Sequence, residues 1–154
     1  MILEAETLLR KLRELEAIAG APSRFVIAFS GGLDSTVLLH ALASLRDQLA
    51  VSLLAIHVDH GLHADSAAWS EHCRAVAEGL GVDYESRSVN VQLESGKGPE
   101  ASARDARYNA LHAELRVGDW LMSAHHREDQ AETLLLNLIR GSGPMGVAGI
   151  GSIR

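Results

Sequence analysis

Arg24-Phe25-Val26-Ile27-Ala28-Phe29-Ser30-Gly31-Gly32-Leu33-Asp34-Ser35 decides how this chain is read. Phe25 to Phe29 is its longest unbroken apolar run, five residues, partly β-branched and aromatic, and it stops at Ser30-Gly31-Gly32. A short buried strand fits that pattern. From Ser35 to about Arg46, Val37, Leu38, Ala41, Leu42 and Leu45 make the apolar face of a helix. Between strand and helix, two glycines let the backbone approach a ligand closely and adopt positive φ. The free N–H groups of such a turn, with the helix N-terminus behind them, favour an anion, most naturally phosphate. Ser30 and Ser35 add hydroxyl donors. Asp34 would repel phosphate unless a cation such as Mg2+ lay between them. The plainer alternative is a tight turn with Asp34 or Ser35 capping the helix; the strand–loop–helix setting favours phosphate.

Outward from this stretch the chain alternates helical and strand patterns, without repeats. Leu8, Leu12, Leu15 and Ala19 predict a leading helix ended by Gly20-Ala21-Pro22. Val51 to Val58 reads as a second buried strand. A helix over 65–80 follows, with Trp69, Cys73, Val76 and Leu80 on one face. A strand is expected over 82–91, a loop over 92–99 and a helix over 100–117. A fourth strand over 119–124, a helix over 128–140 and a glycine-rich loop over 141–154 complete the pattern. It predicts one α/β domain, 1–154, with a mostly parallel sheet and helices on both faces. Ligands of such sheets sit beyond the carboxyl ends of the strands, at a switch point in strand order. Three polar clusters follow strands directly, Ser30–Ser35, His57–Gly61 and His125–Asp129, so they are expected along one edge.

Composition narrows the function classes. The balance of 47% hydrophobic and 22% charged residues is that of a folded globular domain. No apolar run approaches the ~20 residues needed to cross a bilayer, and the acidic start lacks a secretory signal. A cytoplasmic domain without membrane association is expected. Cys73 alone makes no disulfide, redox pair or Cys-rich zinc site. His57, Asp59 and His60 stand close, but strand alternation sends His57 and Asp59 to one face and His60 to the other, which disfavours a closed metal site. Net charge is −6, from 14 Lys+Arg against 20 Asp+Glu. Grip on a nucleic acid would therefore come from local patches or from sequence outside this chain. Gly141 to Gly146 matches GxGxxG, yet it follows a helical pattern and contains Pro144, so a dinucleotide site is not expected there. Gly141 reads more simply as a helix C-cap.

Ser30 to Ser35 resembles the SGGxDS signature of the PP-loop ATP pyrophosphatases, which cleave ATP between the α and β phosphates. Further blocks narrow the resemblance. His57-Val58-Asp59-His60-Gly61-Leu62 follows the second strand, and Glu100 to Tyr108 is similar to EAxARxxRY. His125 to Thr133 is similar to HHxxDQxET, with Glu128 where an aspartate is common, and Asn137 to Gly143 with Gly146 is similar to NLxRGSGxxG. Four blocks in this order resemble the N-terminal catalytic domain of the tRNA(Ile)-lysidine synthase family. The resemblance runs from about Phe25 to the end.

That resemblance implies a Rossmann-like adenine nucleotide α-hydrolase fold, a ligase activity, ATP and Mg2+. Its implied partners are free L-lysine and an isoleucine tRNA with a CAU anticodon. ATP would lie over Ser30, Gly31, Gly32, Leu33, Asp34 and Ser35, with adenine near His57 and Gly141 joining the nucleotide-binding set. Asp34 would hold magnesium or assist proton transfer. Arg104, or Arg107 in its place, would meet a substrate carboxylate or phosphate, and Asp129 and Glu132 would receive the lysine ammonium. It also implies that the catalytic domain continues past Arg154 and that tRNA-binding domains follow. The alternatives are another PP-loop enzyme, such as a tRNA thiolase or an amidotransferase-type synthetase, and an ATP-binding fragment without turnover. The thiolases that resemble this family most use paired cysteines, whereas Cys73 stands alone.

Overall fold

A computed structural model describes residues 5–91, 96–126 and 134–140. The elements run α1 (Ala5–Ala19), β1 (Arg24–Ala28), α2 (Leu33–Ser44), α3 (Arg46–Leu49), β2 (Ser52–Asp59), α4 (Ser66–Gly79), β3 (Asp83–Ser88), α5 (Pro99–Glu114), β4 (Asp119–His126) and β5 (Leu134–Arg140). The strands form one sheet in the order β3-β2-β1-β4-β5. β3, β2, β1 and β4 are mutually parallel, with Arg24 level with Ser52 on one side and Asp119 on the other. After β1 the chain moves outward to β2 and β3, then α5 carries it back to the far side of β1. The order therefore reverses between β1 and β4, where a parallel sheet leaves a cleft at its carboxyl edge.

Alternation along the strands divides the core into two layers. Phe25, Ile27, Leu53, Ala55, Trp120 and Met122 face the layer built on α1, α2 and α4. Val26, Leu54, Ile56, Val58 and Leu121 face the opposite layer, where Leu111 of α5 packs. Both faces of the sheet are thus covered, as the near-continuous apolar strands predict. Among the described residues, no helix is long and apolar enough to cross a membrane.

One element corrects the sequence reading. Residues 134–140, expected within a helix over 128–140, form β5, antiparallel to β4 with Trp120 level with Arg140 and His126 with Leu134. A short run such as Leu134-Leu135-Leu136 has no period that separates a helix turn from a buried strand. Pairing along the otherwise open edge of β4 satisfies its backbone groups.

Candidate nucleotide-binding site

The turn between β1 and α2 sits at the carboxyl edge. Gly31 has φ +80°, and a Cβ there would lie 2.6 Å from Cys73 Sγ and 3.0 Å from Trp69 Nε1. Only glycine fits, because the loop lies directly on α4 and bends through a left-handed conformation. Gly32 is the N-cap of α2, and among the described residues no side chain caps the helix. The expected alternative, a cap by Asp34 or Ser35, is therefore not made, which leaves first-turn N–H groups for a ligand. Ser30 Oγ accepts from the Gly32 N–H at 3.2 Å and lies 3.0 Å from Ser35 Oγ. Ser35, buried, donates to the Gly32 carbonyl at 3.1 Å. Leu33 is 80% exposed on the outer side of the loop.

Asp34 lies in the first turn of α2, half-buried, and among the described residues its carboxylate has no hydrogen-bond or ion-pair partner. A carboxylate in the first turn of α2, unpaired among the described residues, suits Mg2+, which takes one or two carboxylates and fills its shell with phosphate oxygens and water. The residues present fit that ion.

Beneath the loop, β2 and α4 supply three supports. His57 is buried, and its Nδ1 lies 3.0 Å from the Phe29 carbonyl oxygen. That acceptor requires the proton on Nδ1. Trp69 Nε1–H donates to the Ser30 carbonyl at 2.8 Å. Cys73 fills the space between them, its Sγ 3.8 Å from His57 Nδ1, and burial pushes its thiol up to about 11. His57 thus holds the loop with its ring. Asp59, at the end of β2, accepts from the Gly61 N–H at 2.8 Å and closes the turn that follows.

A cavity of about 100 Å3 opens at the reversal point beside the loop. Ala28, Ile56, Val58, Leu111 and Tyr108 give it an apolar wall, while Ser30, Ser35, Ser123 and Arg107 bring polar groups to it. Arg107 lies over the Tyr108 ring, 5.5 Å from its centroid, and Arg104 lies 5.7 Å from the same ring. Of the two arginines, Arg107 lines the cavity; Arg104, the expected substrate contact, is exposed outside its lining. His60 titrates below its ordinary value because burial and the Arg107 charge disfavour its cation. Asp129, Glu132 and Gly141 lie outside the described residues; the strand leading to the first two, β4, ends at His126 on the same edge.

Ser30–Ser35 and His57 lie at one edge as expected, but His57 is buried beneath the loop on the Phe29 carbonyl, and Trp69, expected on the core face of its helix, reaches the loop instead. A tryptophan with one edge bonded and 46% of its surface exposed leaves the same apolar mark in a sequence as a core residue. Arg107 was equally visible within its block; spacing alone did not separate it from Arg104.

Residues 4–154 match the PP-loop domain family. The tRNA(Ile)-lysidine synthase of Alkalilimnicola ehrlichii is 51% identical over 96% of this chain and 32% of its own length. That of Pseudomonas fluorescens is 51% identical over 94% of this chain and 32% of its own. The chain therefore spans about a third of the curated relatives it matches. Among solved structures, the U34-tRNA thiolase NcsA of Methanococcus maripaludis has a similar fold, with TM-score 0.52 and 19% identity over 71% of this chain and 41% of that one. A glycine turn at the carboxyl edge, an uncapped helix behind it and the family match over nearly the whole length agree: the chain belongs to the PP-loop domain family.

Proposed function

We propose that this chain is the ATP-binding catalytic portion of a tRNA(Ile)-lysidine synthase, a cytoplasmic ligase that joins lysine to the wobble cytidine of an isoleucine tRNA. The observation that carries the ATP reading is the uncapped α2 N-terminus at Ser30–Ser35, set beside an apolar cavity at the sheet's reversal point. The choice of substrate rests on the named relatives at about half identity. In this reading the triphosphate lies over the loop, and the wall of Ala28, Ile56, Val58 and Tyr108 suits the flat apolar face of adenine. Asp34 would hold magnesium, which would supply charge neutralisation for the phosphates when bound.

The cytidine O2 attacks the α-phosphorus, forming one P–O bond as the bond to the β-phosphate oxygen breaks and pyrophosphate leaves. The lysine ε-nitrogen then bonds to C2 and loses a proton, and the C2–O bond breaks to release AMP. Preorganised loop amides stabilise charge developing at the α-phosphate, the contribution expected to dominate the rate. Arg107, on the cavity wall, is placed for the nucleotide or the base. Asp129 and Glu132 are proposed to orient the lysine ammonium. Cys73, buried beneath the loop with its thiol pushed up to about 11, is unsuited to the sulfur transfer of the thiolase alternative.

The test is ATP product analysis with Mg2+, adding lysine and isoleucine tRNA singly and together. AMP and pyrophosphate that require the tRNA, with lysine incorporated into it, are expected. Asp34→Ala should abolish them while the unfolding midpoint holds. ADP as product would overturn the mechanism, and ATP binding without turnover would limit the activity of this length of chain to the nucleotide step.

A further inference from the structure

We propose that Trp69 is a positioning residue for the phosphate loop: together with His57 it fixes which way two consecutive peptide planes face, turning the Ser30 and Gly31 amides toward the nucleotide. The proposal rests on the reading that ATP occupies this loop. In a trans peptide, the carbonyl of one residue and the N–H of the next point to opposite sides of a shared plane. Whatever holds the carbonyl therefore aims the following amide. The Phe29 carbonyl accepts from His57 Nδ1 at 3.0 Å, so the plane's other pole, the Ser30 N–H, faces away from β2. The Ser30 carbonyl accepts from Trp69 Nε1 at 2.8 Å, which sends the Gly31 N–H away from α4. The Gly32 carbonyl accepts from Ser35 Oγ at 3.1 Å and from Thr36 Oγ1 at 2.8 Å, which directs the Leu33 N–H outward as well.

Three carbonyls are thus anchored inward and the Ser30, Gly31 and Leu33 amides face out, while the Gly32 N–H is taken by Ser30 Oγ; outward amides of this kind attract an anion. A reversed plane would present a carbonyl oxygen to phosphate and convert attraction into repulsion. The Ser30–Gly31 plane is the one most open to reversal, because Gly31 has no Cβ to resist rotation. Its carbonyl is held, like that of Phe29, by a side chain from another element, here Trp69 of α4, 39 residues along the chain. Cys73 Sγ fits against Gly31 from below and keeps the loop seated on the helix. Trp69 itself touches no phosphate; it acts through the Ser30 carbonyl.

The experiment compares the 154-residue chain with Trp69→Phe, which keeps an aromatic ring and removes the N–H. Calorimetric titration with ATP and Mg2+ is expected to show affinity reduced about five- to tenfold, the effect of one lost hydrogen bond. The thermal midpoint should move by no more than about 4 °C. A second readout uses the unsubstituted chain: the Trp69 indole N–H resonance, told from that of Trp120 by its absence in the variant, should shift when magnesium pyrophosphate is added. Equal ATP affinity in the two chains, or an indole resonance unmoved by bound pyrophosphate, would overturn the role of Trp69 alone. No binding of ATP or pyrophosphate by the unsubstituted chain would overturn the nucleotide reading, and this inference with it. Should Trp69→Phe fail to fold, the Trp69 resonance is assigned instead through its short distances to Ser30 and Cys73 protons, and it still decides.

Discussion

Gly31 concentrates the demands of the site in one residue. Its φ of +80° is costly for any side chain, and a Cβ would lie 2.6 Å from Cys73 Sγ, so that Cys73 or the loop would have to shift. Gly31→Ala is expected to destabilise the chain by about 1–3 kcal/mol and to remove ATP binding, measured by urea unfolding and calorimetry. Adding Cys73→Ala should return part of the stability, because it relieves the contact, but not the binding, because φ stays strained. Full recovery of both would show that crowding alone, rather than loop conformation, makes glycine necessary there. The contrast with Leu33, 80% exposed two residues later, shows how sharply the constraint falls off along the loop.

At the scale of elements, the strands are fastened at the edge opposite the site. Arg24, opening β1, pairs with Asp119, opening β4, at 2.5 Å, and Asp119 is 2% exposed. The second function of that carboxylate is to accept the Arg116 N–H at 2.9 Å. Asp119→Ala is expected to cost about 2–3 kcal/mol by stranding both partners, with ATP affinity unchanged because the cavity lies at the other end of the same strands. A loss of affinity matching the loss of stability would mean the two ends are coupled. Elements with strong period were legible in the sequence. Leu8, Leu12 and Leu15 gave their helix because burial on one face imposes the spacing directly, whereas the Phe25–Phe29 run gave its strand through being apolar on both faces and stopping at a glycine turn. β5 was not legible: its residues lack a period, and its pairing with β4 is a long-range choice that local pattern does not encode. The candidate site divides the same way. Ser30–Ser35 is contiguous and could be read whole, whereas the Trp69 contact with Ser30 joins helices and loops far apart in sequence.

For the whole molecule, acidity is the governing condition. His60 stands among Arg107, Asp59 and His57, and its folded value lies below 6.5 because burial and Arg107 outweigh the pull of Asp59. The unfolded chain takes up this proton more readily than the folded one. The stability His60 contributes is therefore intact above 6.5 and is lost as pH falls through its lowered folded value. Urea midpoints at pH 7.5 and 5.5 should diverge less in His60→Gln than in the unsubstituted chain; an unchanged difference would remove His60 from the acid response. A net charge of −6 sets the wider field. It opposes polyanions such as ATP, so binding at the loop relies on local amides rather than on the overall field.

The anchored carbonyls beneath Ser30 and Gly31 have a kinetic meaning. A loop whose planes are set before the ligand arrives has little ordering left to do during encounter, so association becomes a matter of diffusion against a like-signed field. Added salt should then speed the arrival of ATP by screening that field. ATP, AMP and pyrophosphate, meeting the same finished surface, would differ chiefly in how long each remains.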